Sequence, residues 1–126
     1  MRHVESPTTD RLNDPHRLVA LRRLPLADTA VQESFDRLSR LSARLLQAPV
    51  SLVCIVEPGR HVFAGCHGLP SHFKVQRVQP SDYSYCDRVV ESDSPFVVED
   101  AARLEDLRGT RALTDLGLRS YAGVPI

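Results

Sequence analysis

The sequence has no net charge to offer, because its 16 basic and 16 acidic residues cancel. A chain without a net field does not draw in nucleic acid or an anionic membrane as a basic domain does, so nucleic acid is not an expected partner. No apolar run in the sequence approaches the roughly 20 residues that span a bilayer, so no membrane partner is expected either. The opening stretch from Met1 to Asp14 is polar and lacks the apolar centre of a secretory signal. It also lacks hydrophobic periodicity, so residues 1–14 read as a disordered polar leader. A cytoplasmic location is the expectation, and the three cysteines agree with it. Cys54, Cys66 and Cys86 are odd in number, widely spaced and without a Cys-x-x-Cys pair, so they read as reduced thiols.

Catalytic patterns are missing as well. Gly59, Gly65 and Gly68 have neither the spacing nor the following lysine of a phosphate-binding loop. Cys66-His67 is the nearest approach to a metal site, but neighbours on a strand point to opposite faces and the paired spacing of zinc ligands is absent. Asp82, Asp87, Glu99 and Asp100 are accounted for as helix caps and solvated loop positions. No metal and no catalytic set is expected, and no cofactor is indicated.

What is present reads as one α+β domain over residues 15–126, a length that buries a single core. Asp14-Pro15 starts a helix over 15–24, with leucines at 18, 21 and 24. Thr29, with Gln32 three residues on, starts a second helix over 29–47. Val31, Phe35, Leu38, Leu41, Leu45 and Leu46 make a stripe expected to face the core, while Arg37, Arg40 and Arg44 form a solvated ridge. Branched residues over 50–56, turn chemistry at Glu57 to Arg60 and a return over 61–66 predict a hairpin. A long loop over 67–81 follows, then a short helix from Asp82 to Glu91 and a strand over 96–99. Two helical pieces separated by Gly109 lead to a last strand over 119–126. Such an edge, left apolar at Pro125-Ile126, creates the expectation of further covering sequence or a partner chain.

From residue 15 onward these segments together resemble a bacterial GAF domain. The resemblance is carried by Leu26-Ala27-Asp28-Thr29, Phe35-Asp36-Arg37-Leu38, Ala48-Pro49-Val50-Ser51-Leu52-Val53, Gly68-Leu69-Pro70 and Ser84-Tyr85-Cys86. It is completed by Pro95 to Ala101 and by Leu116 to Ile126, which contains Tyr121-Ala122-Gly123-Val124-Pro125. It implies a GAF-like, PAS-related antiparallel sheet flanked by helices, incomplete after its fourth strand, with a ligand pocket on one face. It further implies a sensor or input domain of intracellular signal transduction that binds a small molecule or dimerises through helix 29–47. Such a domain controls an attached output domain, a histidine kinase, a PPM-type serine/threonine phosphatase or a diguanylate cyclase, expected C-terminal to this stretch. By that resemblance the chain itself is not an enzyme.

Inward positions nominate a pocket lined by Cys54, Phe63, Tyr83, Tyr85, Cys86, Val89, Val98 and Tyr121, mostly apolar with tyrosine hydroxyls for polarity. These residue types at these periods also build cores by default. Cys86 carries the alternative reading, a thiol-based redox switch or reductase. Related domains that reduce methionine sulfoxide use paired cysteines whose spacing does not match here, and those that attach a bilin place histidine beside the cysteine, where this chain has Asp87.

Overall fold

A computed structural model describes residues 10–126. Among the described residues the fold is mixed α+β, with four helices and antiparallel sheets. Helix α1 spans Pro15–Arg22, ending two residues short of the expected boundary, with Asp14 capping the His16 amide and Pro15 at the first position. The expected leader lies outside the described residues over 1–9. Its last part is ordered: Arg11–Asn13 forms a single 3-10 turn. The Arg17 guanidinium holds that turn to the body by donating to the carbonyls of Arg11 and Leu12 at 2.7 Å and of Val56 at 2.6 Å.

Helix α2 spans Thr29–Leu46, and its cap is Asp28 rather than Thr29. The Asp28 carboxylate accepts from the amides of Ala30 and Val31, while Gln32 donates back to the Leu26 carbonyl at 2.8 Å. Strands β1 (Ser51–Glu57) and β2 (Arg60–His67) form the expected hairpin. A third strand, β3 (Val78–Pro80), lies within the stretch expected to be loop and pairs with β2. Beyond it come α3 (Cys86–Ser92), β4 (Phe96–Val98), α4 (Arg111–Thr114) and β5 (Tyr121–Gly123).

The strands form two sheets, a correction to the single sheet expected. One has the order β1-β2-β3, and β4 pairs only with β5. The last strand also closes early, at Gly123 instead of 126, ahead of Pro125, which has no N–H to donate to a ladder.

The leucine stripe of α2 is the second correction. Leu38, Leu41, Leu45 and Leu46 are exposed, and the buried residues of the helix are Ser39 and Ala43. The cause is a close approach. A side chain at Gly65 of β2 would sit 2.6 Å from the Phe35 carbonyl carbon and 2.8 Å from its Cβ. Helix backbone therefore rests nearly on strand backbone, and only small residues fit between them. Asp36, also on this face, accepts from the Cys66 amide at 3.0 Å and pairs with Arg77 at 2.8 Å. Burial alone would push the Asp36 carboxyl up, but the Arg77 hydrogen bond and the Cys66 amide hold it below the ordinary carboxylate value.

A one-residue bulge decides which strand side chains face α3. Val53 pairs with Gly65 but Cys54 pairs with Phe63, leaving Ala64 as the extra residue. An extra residue inverts the inside-outside alternation, so Gly65 faces α2 while Phe63, His61 and Cys54 share the opposite face. Without the bulge, Phe63 and His61 would share the face of Gly65 instead of that of Cys54.

Candidate functional site

The eight nominated pocket residues separate into two groups and one outlier, Tyr83. Phe63, Tyr85, Val89 and Val98 are core, each nearly or fully buried. Tyr85 packs in a cluster with Val98, Ala101, Leu107 and Ala112, and its hydroxyl donates to the Leu118 carbonyl at 2.8 Å. Tyr83 stands apart, edge-on to Phe73 and beneath the Arg111 guanidinium, 4.7 Å from its ring centre. Two surface grooves lie elsewhere, one on the outer face of α2 along Leu38 and Leu41, the other beside Leu24, Val62 and Val78. None of the eight lines either groove.

The remaining three, Cys54, Cys86 and Tyr121, meet. Cys86 opens α3, and its Sγ lies 3.4 Å from the Tyr121 hydroxyl on β5. Cys54 on β1 is near enough for each thiol to shift the acidity of the other. Both thiols are free and keep some exposure, unlike the buried Cys66. Tyr121 is fixed in turn by Tyr85, whose ring meets it edge-on with centres 5.3 Å apart. The Cys86–Tyr121 contact thus joins α3 to β5, while Cys54 belongs to β1.

Three polar residues that sequence reasoning left without a role complete the site. Ser84 Oγ lies 2.8 Å from His61 Nδ1 and accepts from the Cys86 amide at 3.3 Å. His61 is fully buried and donates from Nε2 to Asp87 Oδ1 at 2.7 Å. The order is carboxylate, imidazole, hydroxyl, then the backbone amide of Cys86. Ser84, His61 and Asp87 share the roles of a hydrolytic triad, but Ser84 is only 4% exposed and its hydroxyl adjoins the thiols rather than open solvent. The group it can serve is Cys86.

The electrostatics separate the two thiols. Cys86 is pulled down to about 6, first by the hydrogen bond from Cys54 and then, against the cost of burial, by Ser84, Tyr121 and the charge of His61. Cys54 is pushed well up, first by the neighbouring Cys86 and then by its partial burial. Tyr121 is raised by burial and by the neighbouring Cys86 charge, so its phenol stays protonated as a donor. The two thiols are thus shifted in opposite directions, Cys86 down and Cys54 up.

Among the described residues, no group of three or more His, Cys, Asp and Glu side chains is arranged to hold a metal ion, and no helix is long and apolar enough to cross a membrane. When the chain is compared with known proteins, no family model matches it and no curated protein matches it. Geometry alone therefore carries the functional reading.

The missed residues left a faint trace in the sequence. His61 alternates with Phe63 on a strand and so is inward, and Asp87 directly follows Cys86. What joins them is the bulge at Ala64, which no local pattern announces.

Proposed function

We propose that this chain is a GAF-like regulatory input domain of signal transduction whose sensing centre is the Cys54–Cys86–Tyr121 junction. The carrying observation is the 3.4 Å contact between Cys86 Sγ and the Tyr121 hydroxyl, because it ties the start of α3 to the β4–β5 sheet. A chemical change at the sulfur alters the contact between α3 and β5, and packed interfaces respond to such changes in steps rather than continuously. An attached output domain would read the altered position of β4 and β5. The thiol reading is favoured over a small-molecule pocket because Phe63, Tyr85, Val89 and Val98 fill the space where that pocket was expected.

Backbone amide spectra of the reduced chain, before and after alkylation of Cys86, test this. The expected result is displaced signals for Tyr121–Gly123 and Phe96–Val98 together with those of β1. Displacements confined to α3 would remove the junction as a sensing centre.

A second reading, pairing of two copies through α2, is supported by the exposure of Leu38 and Leu41, about half of each side chain's surface at 47% and 52%, and of Leu45 at 74%. An apolar row of this kind on a helix is suited to a partner helix. Light scattering is expected to give a dimer for the native chain and a monomer for Leu41→Glu. A native chain that stays monomeric at high concentration would dispose of the pairing.

A further inference from the structure

We propose that the outer face of α2 is a docking groove for an acidic amphipathic helix of a partner protein, which lays apolar side chains along Leu38 and Leu41 and sets carboxylates against Arg37, Arg40 and Arg44. This goes beyond the sensing reading and is independent of the Cys86–Tyr121 contact. The groove is lined by these five residues and Ser34. Its form follows from the register of the helix. Because Ser39 and Ala43 are the residues turned inward, Leu38, Leu41 and Leu45 are carried outward, with 47%, 52% and 74% of their surface exposed. Their alternating spacing of three and four residues makes one continuous row, and the exposed arginines at 37, 40 and 44 make a second row alongside it. An apolar row with a charged flank is the form of a groove that receives an amphipathic helix.

Charge decides the occupant. Elsewhere in the fold Arg77, Arg88, Arg111 and Arg119 are each paired with an aspartate, whereas among the described residues no carboxylate pairs with Arg37, Arg40 or Arg44. The acids of α2 do not answer them. Asp36 is turned to Arg77, and Glu33 does not line the groove. A second copy of the chain is the poorer match. With Leu38 and Leu41 at the a and d positions of a heptad, antiparallel copies bring Arg37 of one beside Arg44 of the other, and parallel copies bring Arg37 beside Ser42. Like charges across an interface disfavour a pairing, whereas glutamates or aspartates flanking the apolar row of a foreign helix meet all three arginines. Self-pairing through the leucine row is therefore the weaker association, one that the acidic helix displaces. An anionic membrane fits less well too. A flat headgroup surface does not enter a groove, and the chain has no net positive charge to hold it there.

The test titrates the full chain into a fluorescent synthetic peptide of about three heptads, with leucine at a and d and glutamate at e and g, a pattern whose like charges oppose pairing with itself. A second peptide carries lysine in place of every glutamate. The glutamate peptide is expected to bind saturably, to displace the amide signals of α2, and to lose affinity as salt is raised. The lysine peptide is expected to bind about tenfold more weakly or worse, the combined effect of three exposed charge pairs. Leu41→Glu is expected to abolish binding of the glutamate peptide. Arg37→Glu, Arg40→Glu and Arg44→Glu together are expected to transfer the preference to the lysine peptide, a reversal that an unfolded variant could not show. Equal affinity for the two peptides, or binding that Leu41→Glu leaves intact, would overturn the groove. So would attachment to phosphatidylserine-rich vesicles at chain concentrations where the glutamate peptide stays free. A chain that dimerises through Leu41 but takes up neither peptide keeps the self-pairing and overturns the acidic partner.

Discussion

Replacing Asp36 by alanine is expected to destabilise the fold by about 3–5 kcal/mol, the cost of leaving a buried charge without its partner. The stranded group would be Arg77, only 9% exposed. Its guanidinium donates to the Asp36 carboxylate and to the carbonyls of Phe63, Ala64 and Lys74, so it joins α2, β2 and the segment before β3 at one point. The carbonyls cannot neutralise it. Denaturant unfolding of the native chain and of Asp36→Ala measures the loss, which should appear as a lower midpoint with little change in slope. A pH dependence follows from the same pair. Asp36 is held below its ordinary value in the folded state, so it binds a proton less readily folded than unfolded. Its contribution is therefore complete above the ordinary carboxylate value and disappears as the pH falls through the lower folded one. The native chain should lose stability in that acidic window, and Asp36→Ala should lose less there. Equal acid sensitivity in the two proteins would contradict the pairing.

The second large effect concerns chemistry. Replacing Cys54 by alanine removes the neighbour that contributes most to lowering the Cys86 thiol. A thiolate with that neighbour gone moves back toward the ordinary cysteine value of about 8.5, and its alkylation rate near neutral pH should fall by about tenfold. The reverse replacement, Cys86→Ala, should leave Cys54 almost inert at the same pH, because Cys54 is pushed up rather than down. That asymmetry separates the account from one in which two similar thiols merely lie close together.

Local chemistry in the sequence located most of the elements. The Asp14-Pro15 start, the hairpin turn at Glu57 to Arg60 and the short strand at Phe96 were legible because capping, turn and strand signals act over a few residues. Long-range geometry was not legible. The leucines of α2 carry a helical period that ordinarily marks the buried face, but the close approach at Gly65 buries Ser39 and Ala43 instead. A period records which residues share a face, not which face is covered. The strand Val78–Pro80 was hidden for a similar reason, since three residues bounded by a proline carry little pattern and pair only because the edge of β2 is open to them. At the site, Cys54, Cys86 and Tyr121 were nominated as inward residues. Their conversion from pocket lining to a thiol cluster depends on Ser84, His61 and Asp87, which the register of β2 and the start of α3 bring together.

The central claim is that one thiol of the pair, Cys86, is ionised near neutral pH by the donors around it. Thiolate absorbance of the fully reduced chain, followed across the pH range, measures this directly. The account predicts a first step centred at about pH 6, absent from Cys86→Ala and displaced upward in Cys54→Ala. A native chain whose thiols all ionise together near the ordinary value of about 8.5 would contradict it.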